Sequence, residues 1–426
     1  MKDDLMNNLL YVVSNERILS RGIFNSQVKA VLRQIKSLRP DFEVTLLYIS
    51  PMTYWFKSRR DLSHLKEELK KQNIRFVIFP TTFRSLWVKV WFLPLYLVLT
   101  LPFFVYLVRR RKIEIVHCRS YIASLFGFFG KKYLGTKFIF DLRGVYVEEG
   151  SLIKPKTWKN GTPNFRIWKW IEKRLLKKAD EIVVVSRPFA DYVSTVSPWE
   201  KINVIPCSSD FLYQKSKRGG KNRLSALGGS TIKIVYTGGV GTWYPLDGIL
   251  GVFKLIKEVE ENSILTILTP ANPLKIAQQI GSAGFKPEDY FVTTVSPEEV
   301  KSYVEEYQIG LLIRSSRNPI VNKVCFPVKF AEYMACGLPV IVNPETAAIA
   351  EIVERHKVGL VFDFKSQAEA LDKVRKFLQE YVRMRKNCLH LSHSLTSRSS
   401  ALKYLFVYEK LEALKNAQTS PIVTAK

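Results

Sequence analysis

Short apolar runs rich in β-branched residues recur along this chain, each followed by a longer segment of helical period, and that alternation points to a parallel α/β architecture. The expected strands cover residues 9–14, 43–49, 74–79, 113–117, 137–141, 181–186 and 202–206. A basic, glycine-rich stretch, "LYQKSKRGGKNRLSALGGS" at 212–230, then reads as a linker. A second series follows at 231–239, 263–268, 290–295, 309–314, 338–343 and 359–364. With 426 residues the chain exceeds one ordinary core and fits two domains. The expected division is a first α/β domain over 1–211, the linker 212–230, and a second domain over 231–398, with a final helix at 399–416 returning to pack on the first. Two open α/β domains facing across a hinge place their strand C-termini, where such sheets bind ligands, along a shared crevice suited to two substrates.

The 47% apolar content is that of a folded globular protein. Cys118, Cys207, Cys325, Cys336 and Cys388 are scattered and never in C-x-x-C spacing, which argues against a disulfide framework or a zinc site. The opening "MKDDLMNN" lacks the basic and apolar regions of a secretory signal, so a cytoplasmic location is expected. A net charge of +27 calls for an anionic partner: nucleic acid, an acidic membrane surface or a phosphorylated substrate. Residues 86–112, "LWVKVWFLPLYLVLTLPFFVYLVRRRK", favour the membrane surface. The run is long enough to cross a bilayer, yet a crossing would separate two strands of one sheet. The expectation is a helix, broken near Pro94 and Pro102, that lies against the membrane and presents Arg109, Arg110, Arg111 and Lys112 to anionic head groups; a buried crossover helix is the alternative.

The stretch with the most chemistry is "FPVKFAEYMACGLPV" at 326–340. A helix entered at Pro327 puts Lys329 and Glu332 on one face near its N-terminal turns. A diphosphate needs a cation and free backbone N–H groups, and Lys329 is the candidate cation. An exposed Lys329–Glu332 ion pair is the bland alternative. In "NPETAAIAEIV" at 343–353 a polar loop enters a helix, and the N–H groups of Thr346, Ala347, Ala348 and Ile349 are candidates to meet phosphate or sugar oxygens; simple capping by Thr346 is the alternative.

The run from Phe326 to Phe364 resembles the donor-binding block of glycosyltransferase family four, in the order Glu332, Met334-Ala335, Gly337, Pro339-Val340-Ile341, Glu351-Ile352-Val353 and Gly359. "IEIVHCRS", "ADEIVVVSRPF", "INVIPCSSDF" and "KIVYTGGVGTWYPLDGIL" are similar to further landmarks of that family. The resemblance implies a GT-B fold of two Rossmann-like domains. It also implies a nucleotide-diphosphate sugar donor, retention of anomeric configuration, and no metal or other cofactor. It assigns Glu332 to the donor ribose and places Gly22, Gly239, Thr346, Ala347, Ala348 and Glu351 around the donor. Asp141 and Arg143 in "FDLRGVYVEEG" stand where the family often carries a histidine beside the sugar, and are the active-site candidates together with Glu332; Glu148 and Glu149 are further possibilities. An Asp141–Arg143 salt bridge of purely structural kind, and a packed rather than catalytic His117 at a strand end, are the competing readings.

Three departures stand out. Val324 occupies the place of the family's first glutamate. "GGVGTWYPLDG" lacks the usual Arg and Lys pair, so Arg314 and Lys329 are expected to neutralise the diphosphate instead. The first loop, "SRGIFNSQ", holds a single glycine, Gly22. The expected activity is transfer of a hexose-type unit to a lipid-linked or polysaccharide acceptor at the cytoplasmic membrane face. An epimerase of the same fold, a non-catalytic saccharide-binding relative and a nucleic-acid-binding protein are the alternatives. The last is disfavoured because the basic residues are dispersed, with clusters only near Lys57–Arg60 and Arg109–Lys112.

Overall fold

The computed structural model describes residues 8–14, 16, 18–19, 22–81, 90–211, 231–296, 299–315, 317–363 and 366–419; the linker at 212–230 and residues 86–89 of the apolar run lie outside them. The chain forms two compact units, Met1–Pro206 with Ser400–Lys426, and Cys207–Ser399. In the first, seven parallel strands, β1 (Asn8–Ser14), β2 (Glu43–Pro51), β3 (Ile74–Thr81), β4 (Ile115–Arg119), β5 (Lys137–Asp141), β6 (Glu181–Val184) and β7 (Ile202–Val204), lie in the order β3-β2-β1-β4-β5-β6-β7. In the second, β8 (Lys233–Thr237), β9 (Ile264–Leu268), β10 (Tyr290–Thr293), β11 (Ile309–Leu312), β12 (Val340–Val342) and β13 (Gly359–Val361) are parallel in the order β10-β9-β8-β11-β12-β13. Both are Rossmann-like. Each reverses strand order once, between β1 and β4 or between β8 and β11, and there the C-terminal strand ends open a crevice. Central strands such as "LLYVVS" are apolar at nearly every position because helices cover both faces of a parallel sheet.

Most expected strand limits shift by one to three residues, β6 ending at Val184, β11 at Leu312 and β13 at Val361 for example, and at two of them the backbone shows why. Ile113 does not begin β4: Lys112 adopts φ 48° and the Ile113 N–H bonds the Val108 carbonyl, completing the exit of the preceding helix. His117 therefore sits inside β4, not at its end, and Arg119 is the terminal residue. Leu338 and Pro339 likewise belong to a helix exit. Gly337 takes φ 67° and the Leu338 N–H returns to the Tyr333 carbonyl before β12 starts.

The apolar run forms one 18-residue helix, Leu93–Arg110, in which Pro94 occupies the first turn and Pro102 is accommodated without a break, contrary to expectation. Leu93, Tyr96, Thr100, Phe104, Leu107 and Val108 are buried, and the Tyr96 hydroxyl meets Ser14 Oγ at 2.7 Å. Since β3 and β4 share one sheet, the helix is a crossover and not a span. Its other side is unusual for a crossover: Leu95, Val98, Leu99 and Tyr106, with Trp91 and Phe92 just before it, are all exposed.

The final helix, Ser397–Thr419, buries Ala401, Tyr404, Leu405, Tyr408 and Leu411 in the core of the first unit, at the three- and four-residue spacing of a one-sided helix. This return segment delivers two tyrosine hydroxyls to the C-terminal side of β4 and β5.

Candidate functional site

In the second unit the residues after β8, β11 and β12 converge. Gly238 follows β8 with φ 109°, a conformation that favours glycine, and a Cβ there would come within 3.3 Å of Lys329 Nζ and press on the ammonium. Gly239 has open space around it, and its carbonyl accepts the Tyr236 hydroxyl. The loop then folds back through paired backbone bonds between Gly241 and Tyr244, at 3.0 and 3.1 Å, which turn Trp243 and Tyr244 over the strand ends.

Lys329 enters from the helix Val328–Ala335, whose start is fixed by Pro327. Its ammonium is buried with no hydrogen-bond partner among the described residues and lies 4.1 Å from the Tyr236 ring centroid and 3.7 Å from that of Tyr244. The ion pair with Glu332 does not form. An ammonium between two aromatic faces is held by their quadrupoles while its N–H donors stay unused. Burial pulls the Lys329 pKa down to about 7, helped by Arg314 and opposed by Glu332. Burial likewise pushes Glu332 up to about 7 against the attraction of Lys329. Tyr333, next in the helix, anchors the whole element. Its hydroxyl accepts the Thr237 N–H at 2.9 Å, and its ring covers Gly310, where a Cβ would clash at 2.7 Å.

Arg314 follows β11, is 7% exposed, and stacks its guanidinium 5.2 Å from Trp243 and 5.4 Å from Tyr244. Asn343, after β12, clamps its backbone from both sides: Arg314 N–H donates to Oδ1 at 3.0 Å and Nδ2 donates to the Arg314 carbonyl at 2.6 Å. Asn343 also takes the Thr346 hydroxyl at 3.3 Å, so Thr346 does not cap the helix Ala347–His356. The N–H groups of Thr346 and Ile349 are consumed by Asn343 and Thr346 carbonyls, which narrows the expected set of donors. Those of Ala347 and Ala348 have no partner among the described residues and stand at the positive end of the helix dipole. Val324 is buried, leaving the family's first carboxylate position apolar. Glu351 is not brought to this group: it pairs with Arg355 at 2.6 Å on the solvent side of its helix.

Trp243, Tyr244 and Asn343 touch Arg314 or Lys329 in this group and are not among the residues expected from the sequence. A "GxWY" after a glycine pair, and an asparagine closing an apolar strand, were the available signals.

In the first unit the buried charges have partners within the unit, although Asp141 Oδ1 and Arg119 Nη1 accept or donate no hydrogen bond among the described residues. Asp141, fully buried at the end of β5, receives Arg143 Nη2 at 2.8 Å, His117 Nε2 at 3.2 Å, the Tyr404 hydroxyl at 3.3 Å and the Tyr11 hydroxyl at 3.4 Å, all on Oδ2. Arg143 also donates to the Tyr404 hydroxyl. Burial would raise the Asp141 pKa, but Arg143, the His117 bond and Arg119 outweigh it and hold the carboxyl well below its usual range. His117 is kept neutral by burial and bonds Tyr408 at 2.8 Å through Nδ1. The structural ion pair between Asp141 and Arg143 thus exists. Arg119, whose role the sequence hid, pairs with Glu16 at 3.1 Å at the strand-order reversal, and the following Ser120 adopts φ 68°. Glu148 is buried beside Lys169, at 2.9 Å, and burial together with Glu172 raises its pKa. The Glu149 side chain covers Gly144, where a Cβ would meet its Oε1 at 2.2 Å. Gly22 is exposed with open space around it, its carbonyl accepting the Ser26 N–H at 3.2 Å.

Comparison with known proteins gives matching assignments for both halves of the chain. A model of "Glycosyl transferases group 1" matches residues 225–390, and one of "Glycosyltransferase Family 4" matches residues 62–210. No curated protein matches by sequence at a significant level. Among solved structures, sucrose-phosphate synthase from Thermosynechococcus elongatus superposes with TM-score 0.65 at 13% identity, covering 96% of this chain and 100% of its own. Anabaena HepE in complex with UDP gives TM-score 0.62 at 11% identity, covering 95% and 100%. WaaG, a glycosyltransferase involved in lipopolysaccharide biosynthesis, gives 0.57 at 11% identity, covering 92% and 99%. At these identities the likeness speaks for the fold.

Proposed function

Because the chain belongs to the group 1, family 4 glycosyltransferases, with their GT-B fold, we propose that it transfers a sugar from a nucleotide-diphosphate donor to a lipid-linked or polysaccharide acceptor, with retention of configuration and without a metal. The observation that carries this is the buried, unpartnered Lys329 ammonium beside Arg314 and the open N–H groups of Ala347 and Ala348. A group of that charge at the C-terminal ends of a parallel sheet suits a diphosphate, and HepE, similar in fold, is solved with UDP. In this scheme Lys329 and Arg314 take the diphosphate, Glu332 accepts the ribose hydroxyls, and Trp243 and Tyr244 wall the pocket. As the glycosidic bond breaks, negative charge grows on the leaving diphosphate. Pre-set donors at that spot lower the barrier because they need no reorganisation.

On the acceptor side Arg143 is the candidate to touch substrate, and Asp141, being buried, acts by positioning it. The exposed apolar side of Leu93–Arg110, with Arg109 and Arg110 at its end, supports resting of the first unit on an anionic membrane leaflet, and the cytoplasmic face is the side where nucleotide sugars are made. The decisive test is the melting temperature of purified protein with UDP, GDP, ADP, CMP or dTDP in chelator-treated buffer. Stabilisation by one nucleoside diphosphate, absent in Lys329→Ala and Glu332→Ala, is expected. No response to any of them sinks the donor assignment, and a response that needs added Mg²⁺ or Mn²⁺ sinks the metal-free scheme.

A further inference from the structure

Two basic recesses flank the helix Arg59–Lys71 of the first unit, one at each end, and they differ in what their cations do. At its C-terminal end Lys36, Lys71 and Asn73 line a hollow in which Lys36 Nζ is already bound by the Pro40 and Phe42 carbonyls, at 2.8 and 2.7 Å. At its N-terminal end an open recess of about 620 Å³ is lined by Phe56, Lys57, Arg59, Arg60, Ser63 and His64. Lys57, Arg59, Arg60 and His64 make no ion pair or hydrogen bond through their side chains with any described residue, and no carboxylate lines the recess.

This arrangement is not one the fold needs. Arg59 and Arg60 occupy the first turn of a 13-residue helix whose N-cap, Ser58, makes no side-chain bond. Cations there oppose the helix dipole, which favours anions at that end, whereas Asp61 of the same turn suits it. The recess also follows β2 directly, through the helix Met52–Lys57, and so lies at the C-terminal edge of the sheet, two strands from the Arg119 crevice. Phe56, 62% exposed, holds its ring edge to face with Trp55 at 4.8 Å, and Arg59 sits 5.8 Å over Trp55. An exposed ring beside uncommitted cations fits a ligand with a phosphate and an adjoining apolar face.

We infer that this recess recognises the phosphate or diphosphate group of an anionic acceptor, with Arg59, Arg60 and Lys57 binding the charge and Phe56 the adjoining moiety. The inference rests on the transferase reading, since it supplies the acceptor that reading leaves open. It ascribes substrate selection to a segment that contributes nothing to donor binding.

The test uses the full chain carrying Lys329→Ala, so that the second unit does not compete for the probe, and titrates inorganic pyrophosphate calorimetrically at low salt. Binding of one pyrophosphate is expected. Adding Arg59→Glu and Arg60→Glu should weaken it by at least about tenfold, as loss of charge-assisted bonds does, while Arg59→Lys with Arg60→Lys should keep most of it. The glutamates suit the first turn of a helix, so the fold is retained. Absence of pyrophosphate binding to the Lys329→Ala chain overturns the inference. So does unchanged binding in the glutamate variant, or a glutamate variant that loses only sedimentation with phosphatidylserine vesicles, which would make the recess a membrane contact. The UDP response of Arg59→Glu, Arg60→Glu with Lys329 intact is expected to be unaltered. A wild-type chain blind to every nucleotide would defeat the donor assignment while leaving the pyrophosphate result to stand or fall separately.

Discussion

Asp141 in the first unit gathers Arg143, His117, Tyr404 and Tyr11 around one oxygen, whereas Lys329 in the second unit is enclosed by Tyr236 and Tyr244 and bonds to neither. Both groups are buried beside C-terminal strand ends, yet only Asp141 has hydrogen-bond partners, all of them on Oδ2, while its Oδ1 has none among the described residues. A buried charge with partners holds a fold in register; a buried charge without them is an unmet cost that a ligand of opposite sign removes. The contrast separates scaffold from binding site more sharply than burial or charge alone.

The contrast breaks most visibly at Asp141. Asp141→Ala leaves cationic and hydroxyl groups facing a cavity, and loss of about 3–5 kcal/mol in urea unfolding is expected, the range for removing one partner of a buried pair. A change below about 1 kcal/mol would show that the network is not structural. Lys329→Met should behave in the opposite way. Removing an unpartnered ammonium is expected to leave stability unchanged or higher, while affinity for the stabilising nucleoside diphosphate falls by about ten- to a hundredfold, the worth of a lost charged hydrogen bond. Destabilisation together with retained nucleotide affinity would make Lys329 part of the scaffold.

Lys329 and Glu332 set the pH behaviour. Between about 7 and its ordinary value of 10.5, Lys329 is neutral when folded and protonated when unfolded, so stability from this group rises with pH across that window. Glu332, protonated when folded up to about 7 but ionised when unfolded above 4.5, makes stability fall as pH rises across its window. A local minimum near neutrality is expected in the difference between wild type and Lys329→Met, Glu332→Gln. Diphosphate binding favours the ammonium, so above pH 7 binding takes up a proton and affinity should drop by up to about tenfold per pH unit in wild type. In Lys329→Arg it should stay level. A flat wild-type profile would show that Lys329 is already charged before the ligand arrives.

The strands were legible because β-branched runs and their spacing act locally, and both sheets follow from them. Lys329 and Glu332 were legible because proline, helix spacing and the family motif fix them within one short segment. What surrounds them was not. Tyr244 reaches Lys329 only through the Gly241–Tyr244 fold-back, and Asn343 reaches Arg314 only because β11 and β12 are neighbours. Tyr404 and Tyr408 complete the Asp141 network from the last helix of the chain, a pairing no local pattern encodes. The limit of β4 depended on a positive φ at Lys112, which lysine seldom adopts and composition does not signal.

Glu351 offers the smallest effect and the finest test of the contrast. It belongs to the motif that resembles the donor block, yet its carboxylate faces solvent and meets Arg355 four residues on. An exposed pair of this spacing contributes about 0.3–0.5 kcal/mol, screened further by salt. Motif membership predicts that Glu351→Ala weakens donor binding as Glu332→Ala does; the geometry predicts nucleotide affinity within about twofold of wild type, because a screened surface charge outside the pocket alters binding only through its weak long-range field. Titration of the stabilising nucleoside diphosphate against both variants decides between them. A large loss in Glu351→Ala would mean that the helix Ala347–His356 turns its Glu351 side toward the donor when the ligand binds, and that the pocket is not pre-formed as described.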